Sequence, residues 1–425
     1  MLQKRLGRRY FAYAKKSTEV LSIGMVLALT LGGNNFSAIA AQTKQTVNFG
    51  SFANWCQNQT KLSSDARHTV EVMLQKAGTN DCNQAERNLS SRPDLNLSSN
   101  QIKNIRPLQS LTNLRTLDLS FNQTSDLSPL TSLTKLTTLD LRSNQIKDTN
   151  PLQSLTNLTS LHLGGNQISN LRSLESLNNL TELSLQGNQI SEVSSLKSLN
   201  KLTSLYLFEN QIRDISPLKS LTKLTTLYLG FNQIRDISPL KSLKNLSELV
   251  LDSNQIGDFK PLKSLTTLTN LSLQNNQIRD LSSVSSLKNL TALRLQNNQI
   301  RDISQLKSLT KLTNLGLQGN QIVDISSLKS LSNLTILDLT NNQIKDISAL
   351  SSLRRLPELY LGDNRITDVS PLKSSTNLTA IYLFKNQIKD VSSLKFLTNL
   401  TTLNLADHAL TNKTCPVSPQ SICQF

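Results

Sequence analysis

Proton-transfer chemistry would fall to three histidines, His68, His162 and His408, which stand in three different stretches of the 425-residue chain. His162 lies in line with Asp118 and Asp140, an acid–histidine grouping that reads as a solvated surface patch. No HExxH, Cys-x-x-Cys, Gly-x-Ser-x-Gly or phosphate-loop motif occurs. Aspartates recur at fixed spacing, as at Asp214, Asp236, Asp258, Asp280 and Asp302. A calcium ladder is the chemistry such a row permits, but Arg or Lys often precedes the acid, as in Arg213 and Arg235. Turn hydrogen bonding and local charge pairing account for the row better. The residues call for no metal and no cofactor, and the expected class is non-enzymatic.

The chemistry of contact is better represented. One outward column of short repeated strands reads Asn96, Asp118, Asp140, His162, Ser184, Tyr206, Tyr228, Val250, Ser272, Arg294, Gly316, Asp338, Tyr360, Tyr382, Asn404. Four of the chain's six tyrosines stand in it, and Phe208, Phe231 and Phe384 follow two or three positions beyond. β propensity favours Tyr in strands, yet most other strands use Ser, Asp or Gly at this place. Exposed aromatics clustered on one face are typical binding anchors. The expected ligand site is therefore Tyr206, Phe208, Tyr228 and Phe231, with Tyr360, Tyr382 and Phe384 as a second contact. A lysine row (Lys197, Lys219, Lys241, Lys263, Lys307, Lys329, Lys373, Lys395) opens an alternative, binding of an anionic polysaccharide or membrane surface, against a bland reading as a solvated row. Asn157, Asn179, Asn289 and Asn333 match the glycosylation acceptor pattern, but they fall at one fixed repeat position.

The elements that must carry these residues follow from one periodicity. Asparagine recurs every 22 residues, at Asn100, Asn122, Asn144, Asn166, Asn188, Asn210, Asn232, Asn254, Asn276, Asn298, Asn320, Asn342, Asn364 and Asn386. Upstream of each lies Leu-x-Leu, from Leu95/Leu97 to Leu403/Leu405, with Ile381 the one substitution. Alternation of this kind is a short strand with one buried face. The Asn amide both donates and accepts, so it can satisfy backbone groups at the bend that follows. Ile234, Ile237, Leu240, Leu243 and Leu246 fill the rest of one coil. Prolines at Pro107, Pro129, Pro151, Pro217, Pro239, Pro261 and Pro371 exclude long helices opposite the strands and predict 3₁₀ or extended turns there. Fourteen spacings of ~4.8 Å make a sheet face about 67 Å long.

The repeating unit LxxLxxLxLxxNQIxDIxPLxSL resembles the leucine-rich-repeat family, and is most similar to the 22-residue class of bacterial internalins. The resemblance spans residues 93–408. It implies an α/β-type repeat solenoid with a parallel sheet on its concave face, and protein or glycan binding on that face. Neither an Ig-like domain nor a wall-anchoring motif follows the repeats within this sequence.

Composition bounds the remainder. A net charge of +16 is compatible with anionic partners without identifying one. Residues 1–40 read as a signal peptide, with a basic stretch, an apolar run from Val20 to Leu31 and Ala38-Ile39-Ala40 before the cut. Export to a periplasm or the exterior removes nucleic acid as a partner and argues against the other alternative, an intracellular regulatory subunit. Residues 41–92 are the expected N-terminal cap, with a helix over about 64–77 begun by Ser64 and stopped by Gly78, and 409–425 an irregular C-terminal lid. An exported monomer with four cysteines is expected to hold disulfides. Cys56–Cys82 and Cys415–Cys423 are the expected pairs, since a rigid stack keeps the two ends far beyond the ~7 Å limit between bridged Cα atoms. Ser375 stands where other copies carry Leu, which predicts a weak seam there.

Overall fold

The computed structural model describes residues 49–408, 410 and 413–425, so the export segment expected over 1–40 lies outside the described residues. Three helices open the described chain: α1 (Phe52–Gln57), α2 (Ser64–Ala77) and α3 (Cys82–Ser90). Each starts at a side-chain cap that satisfies an orphan N–H: Ser51 Oγ accepts from Asn54, Ser63 Oγ from Ala66, and Asp81 Oδ1 from Gln84. The cap of α2 is thus Ser63, one residue before the expected Ser64, because the capping residue must keep extended backbone while Ser64 is already helical. Gly78 ends α2 at φ 73°, its N–H donating to Leu74, a conformation that glycine adopts without strain. Two of the helices went unrecognised in the sequence, since α1 and α3 are too short to display a helical period.

The helices bury Phe52, Trp55, Val70, Met73 and Leu89 between them, and Cys56 bridges to Cys82 with Cα atoms 5.5 Å apart. They meet the first coil where the buried Thr69 Oγ1 donates to the Asn104 carbonyl at 2.8 Å.

Sixteen strands, β1 (Asp94–Asn96) to β16 (Cys423–Gln424), then form one parallel sheet in unbroken sequence order. Every pairing from β1 to β15 (Thr402–Asn404) is offset by 22 residues, as in Leu205↔Leu227 and Leu227↔Leu249. One coil shows why. Leu227, Leu229, Ile234, Ile237, Leu240, Leu243 and Leu246 are all 0–1% exposed. A single coil has only itself to cover them, so neighbouring coils supply the cover. At roughly 1.5–3 kcal/mol per buried aliphatic side chain, stacking is the dominant stabilising term. Opposite the strands run short 3₁₀ turns, such as Ser238–Ser242 with Pro239 at its start. Ser242 Oγ donates to the Lys219 carbonyl of the preceding coil, tying that side together as well.

The C-terminal lid differs from expectation. Rather than being wholly irregular it adds β16, whose Cys423 and Gln424 pair with Leu403 and Asn404. The Cys415–Cys423 bridge, with Cα atoms 5.8 Å apart, ties that strand to the segment above it. Pairing satisfies part of the open edge that β15 would otherwise present. Among the described residues no helix is long and apolar enough to cross a membrane.

Candidate ligand-binding face

The strand alternation turns each Leu inward and its two flanking residues outward, and the tyrosines take the outward positions. Tyr206 and Tyr228 are direct cross-strand neighbours, with ring centroids 5.1 Å apart and planes at 79°, edge to face. Tyr228 Oη donates to Glu248 Oε1 at 2.6 Å, on the next strand. Tyr360 and Tyr382 are also in register, but stack nearly parallel at 4.7 Å and 9°. The Tyr360 hydroxyl donates to Glu358. Burial, followed by this carboxylate, raises the phenol's pKa, so the ring stays neutral.

The phenylalanines reach the same surface by different backbone routes. Phe384 lies across Gly362, where an added Cβ would sit 2.3 Å from the ring, so glycine at 362 makes room for it. Phe231 adopts φ 55° and is 58% exposed. Ser, Asn or Gly fill that place in most coils, and a bulky residue with positive φ costs on the order of 1 kcal/mol. An aromatic that is both strained and exposed has no conformational or core reason to be there. Phe121 repeats the case at φ 55° and 46% exposure, and sequence reasoning passed over it. Its signal was its place in Phe231's column.

The polar neighbours are mostly engaged. Asp252 receives the Gln274 N–H at 2.9 Å and its amide at 3.2 Å, while burial pushes its carboxyl above the usual range. Burial does the same to Asp338. The acid–histidine grouping does not assemble: Asp140 holds the Arg142 guanidinium, with Nε at 2.9 Å, and His162 Nε2 lies 3.0 Å from Ser160 Oγ. Among the described residues no group of three or more His, Cys, Asp or Glu side chains could hold a metal ion.

A family model for paired leucine-rich repeats matches seven consecutive windows that together run from residue 94 to 395. The chain is a leucine-rich-repeat protein. Among solved structures, an internalin of Listeria monocytogenes (InlF) is 32% identical, with a TM-score of 0.67, covering 80% of this chain and 95% of its own. A leucine-rich-repeat protein of Leptospira interrogans is 25% identical with a TM-score of 0.68, covering 78% and 93%. The functional domain of the Listeria internalin InlJ is 24% identical with a TM-score of 0.66, covering 83% and 80%. A comparison with curated protein sequences finds no match.

The leucine-rich-repeat architecture absorbs most of the recurring polar residues. In the asparagine column, Asn232 Nδ2 reaches the carbonyls of Leu207 (3.0 Å), Leu229 (3.1 Å) and Gly230 (3.2 Å), and its Oδ1 accepts from Ile212 at 3.0 Å. One side chain thus closes its own bend and bonds to the coil before. His408, which ends the column, keeps the bond to the coil before, its Nε2 lying 2.8 Å from the Leu383 carbonyl. In the aspartate row, Asp236 Oδ1 accepts the Ser238 N–H at 2.8 Å, a turn bond at the entry to the 3₁₀ segment. Charge pairing reaches Asp126, whose carboxylate lies 3.9 Å from Arg106, whereas Arg213 and Arg235 donate to Gln233 and Gln255 of the next coil. The acceptor-pattern asparagines are structural too, Asn157 Nδ2 donating to the Thr134 carbonyl at 2.9 Å and Asn289 Nδ2 to Thr266 at 2.9 Å.

Proposed function

We propose that this leucine-rich-repeat protein is an exported recognition scaffold without chemistry of its own, binding a protein or glycan ligand on its sheet face. The observation that carries the reading is the pair of outward tyrosine couples. The rings of each couple pack on one another, and one hydroxyl in each couple donates to a glutamate, Tyr228 to Glu248 and Tyr360 to Glu358. Large aromatic area held on a rigid sheet binds at little entropic cost, because the rings are already ordered. Tyr206, Phe208, Tyr228 and Phe231 form the primary anchor. Tyr360, Tyr382 and Phe384 form a second contact about 34 Å further along, seven strand spacings away. The end disulfides and the likeness to an internalin support an extracellular setting.

The test compares the full chain with a Tyr206→Ser/Tyr228→Ser variant in affinity capture and in thermal melting. The expected outcome is an almost unchanged Tm with binding of the captured ligand weakened by ~2 kcal/mol or more. A variant that unfolds, or that binds every captured ligand as before, would show these aromatics to be structural.

A further inference from the structure

The charge of the sheet face runs against that of the molecule. The chain as a whole carries +16. The outward positions flanking the buried residue of β1 to β15 hold seven carboxylates, one guanidinium (Arg294) and no lysine. The acids do not lie at random with respect to the rings. Glu248 takes the hydroxyl of Tyr228, and Glu358 that of Tyr360, so each tyrosine couple has its own carboxylate. A phenol donating to a carboxylate has a more electron-rich ring, and the face of such a ring attracts cations. Two neighbouring tyrosines with a bonded glutamate therefore occur twice on one face, edge to face with a glutamate of the next strand in one couple, stacked with a glutamate of the same strand in the other, and nothing in the packing of the core requires it.

Resting on the binding face proposed above, we infer that its occupant is a cationic polypeptide segment, one whose arginine or lysine side chains lie over the tyrosine couples beside Glu248 and Glu358. Guanidinium groups suit it best, since they stack on aromatic rings and bond to carboxylates at the same time. Asp118 adds negative charge further along the same outward column, Asp140 being already paired with Arg142, and Asp338 adjoins the second couple, in register with Tyr360. An anionic polysaccharide would meet these carboxylates unfavourably, whatever the bulk charge of the chain. Lysines such as Lys219 and Lys241 sit on the 3₁₀ side instead.

The experiment titrates the full chain with a fluorescent peptide alternating arginine and glycine, and with a matched glutamate peptide, at about 0.05 and 0.15 M salt. The arginine peptide is expected to bind, more weakly at the higher salt, and the glutamate peptide not to bind at this face. Glu248→Gln/Glu358→Gln keeps an acceptor for each phenol while removing both charges, and should raise the Kd for the arginine peptide about tenfold. Asp236→Asn, in a turn away from the sheet face, should change it less than about twofold. The inference is overturned if the double glutamine variant binds the arginine peptide as the parent does, or if the glutamate peptide binds in preference. The tyrosine variant separates the two readings. Binding lost with Tyr206→Ser/Tyr228→Ser but untouched by the glutamine pair would leave the aromatic anchor standing and sink the cationic ligand. Binding weakened by the glutamine pair but not by the serines would keep the cationic ligand and discard the aromatic anchor.

Discussion

Asn232 and Asp236 stand four residues apart in one coil, and both recur down the chain, yet they carry different weights. Asn232 is buried at 8% exposure and its amide serves backbone groups of two coils. Leaving such groups unpaired costs about 1–3 kcal/mol each. Asn232→Ala should therefore lower unfolding free energy by about 3 kcal/mol in denaturant titration, and a loss below about 1 kcal/mol would contradict the role assigned to it. Asp236 bonds in solvent to Ser238. Its replacement by Ala should cost only about 0.5–1 kcal/mol, the ordinary value of an exposed cap. The asparagine role was legible from residue type and spacing. The arginine–glutamine bonds were not, because an Arg adjacent to Asp in sequence need not face it in space: the two side chains leave the backbone in different directions.

Elements differ along the array more than the repeat suggests. Between β12 (Ile336–Asp338) and β13 (Glu358–Tyr360) the register is reduced to Asp338↔Tyr360. The cause is Pro357, which takes the place of Thr335 and Thr379. Thr335 N donates to Thr313 at 2.9 Å, and Thr379 N to Pro357 at 2.7 Å, but Pro357 has no N–H to donate to Thr335. One coil later Ser375, only 6% exposed, fills a place that Leu331, Leu353 and Leu397 fill elsewhere. The expected seam near 375 thus gains a neighbour that the pattern of leucines did not disclose. Hydrogen exchange should open residues 357–385 before 230–300, and Ser375→Leu should slow that opening by the value of one buried aliphatic contact, about 2 kcal/mol. Equal protection of the two stretches in the parent chain would remove the seam.

At the scale of the whole molecule, every strand touches only its neighbours, so stability is a sum of coils and of interfaces between them. The ends have one neighbour each, and both are tied by a disulfide, Cys56–Cys82 and Cys415–Cys423. Reduction should release protection in residues 52–90 and 403–424 while leaving 230–300 exchanging as before, read by exchange with and without reductant. Loss of protection throughout would mean that the array folds as one cooperative unit and that the caps hold all of it.

The sequence alone determined the coil, its 22-residue length and the inward leucines, because a strict period admits one way of stacking identical apolar faces. It also determined that the four tyrosines share a side, since alternation along a strand leaves no choice. The tertiary structure decided what lies across from what. Glu248 reaches Tyr228 from the following strand, Phe384 settles over Gly362, and Asp140 turns to Arg142 rather than His162. These pairings join residues up to 22 positions apart, or depend on rotamers within two, and they are settled by contact distances that a one-dimensional period does not contain.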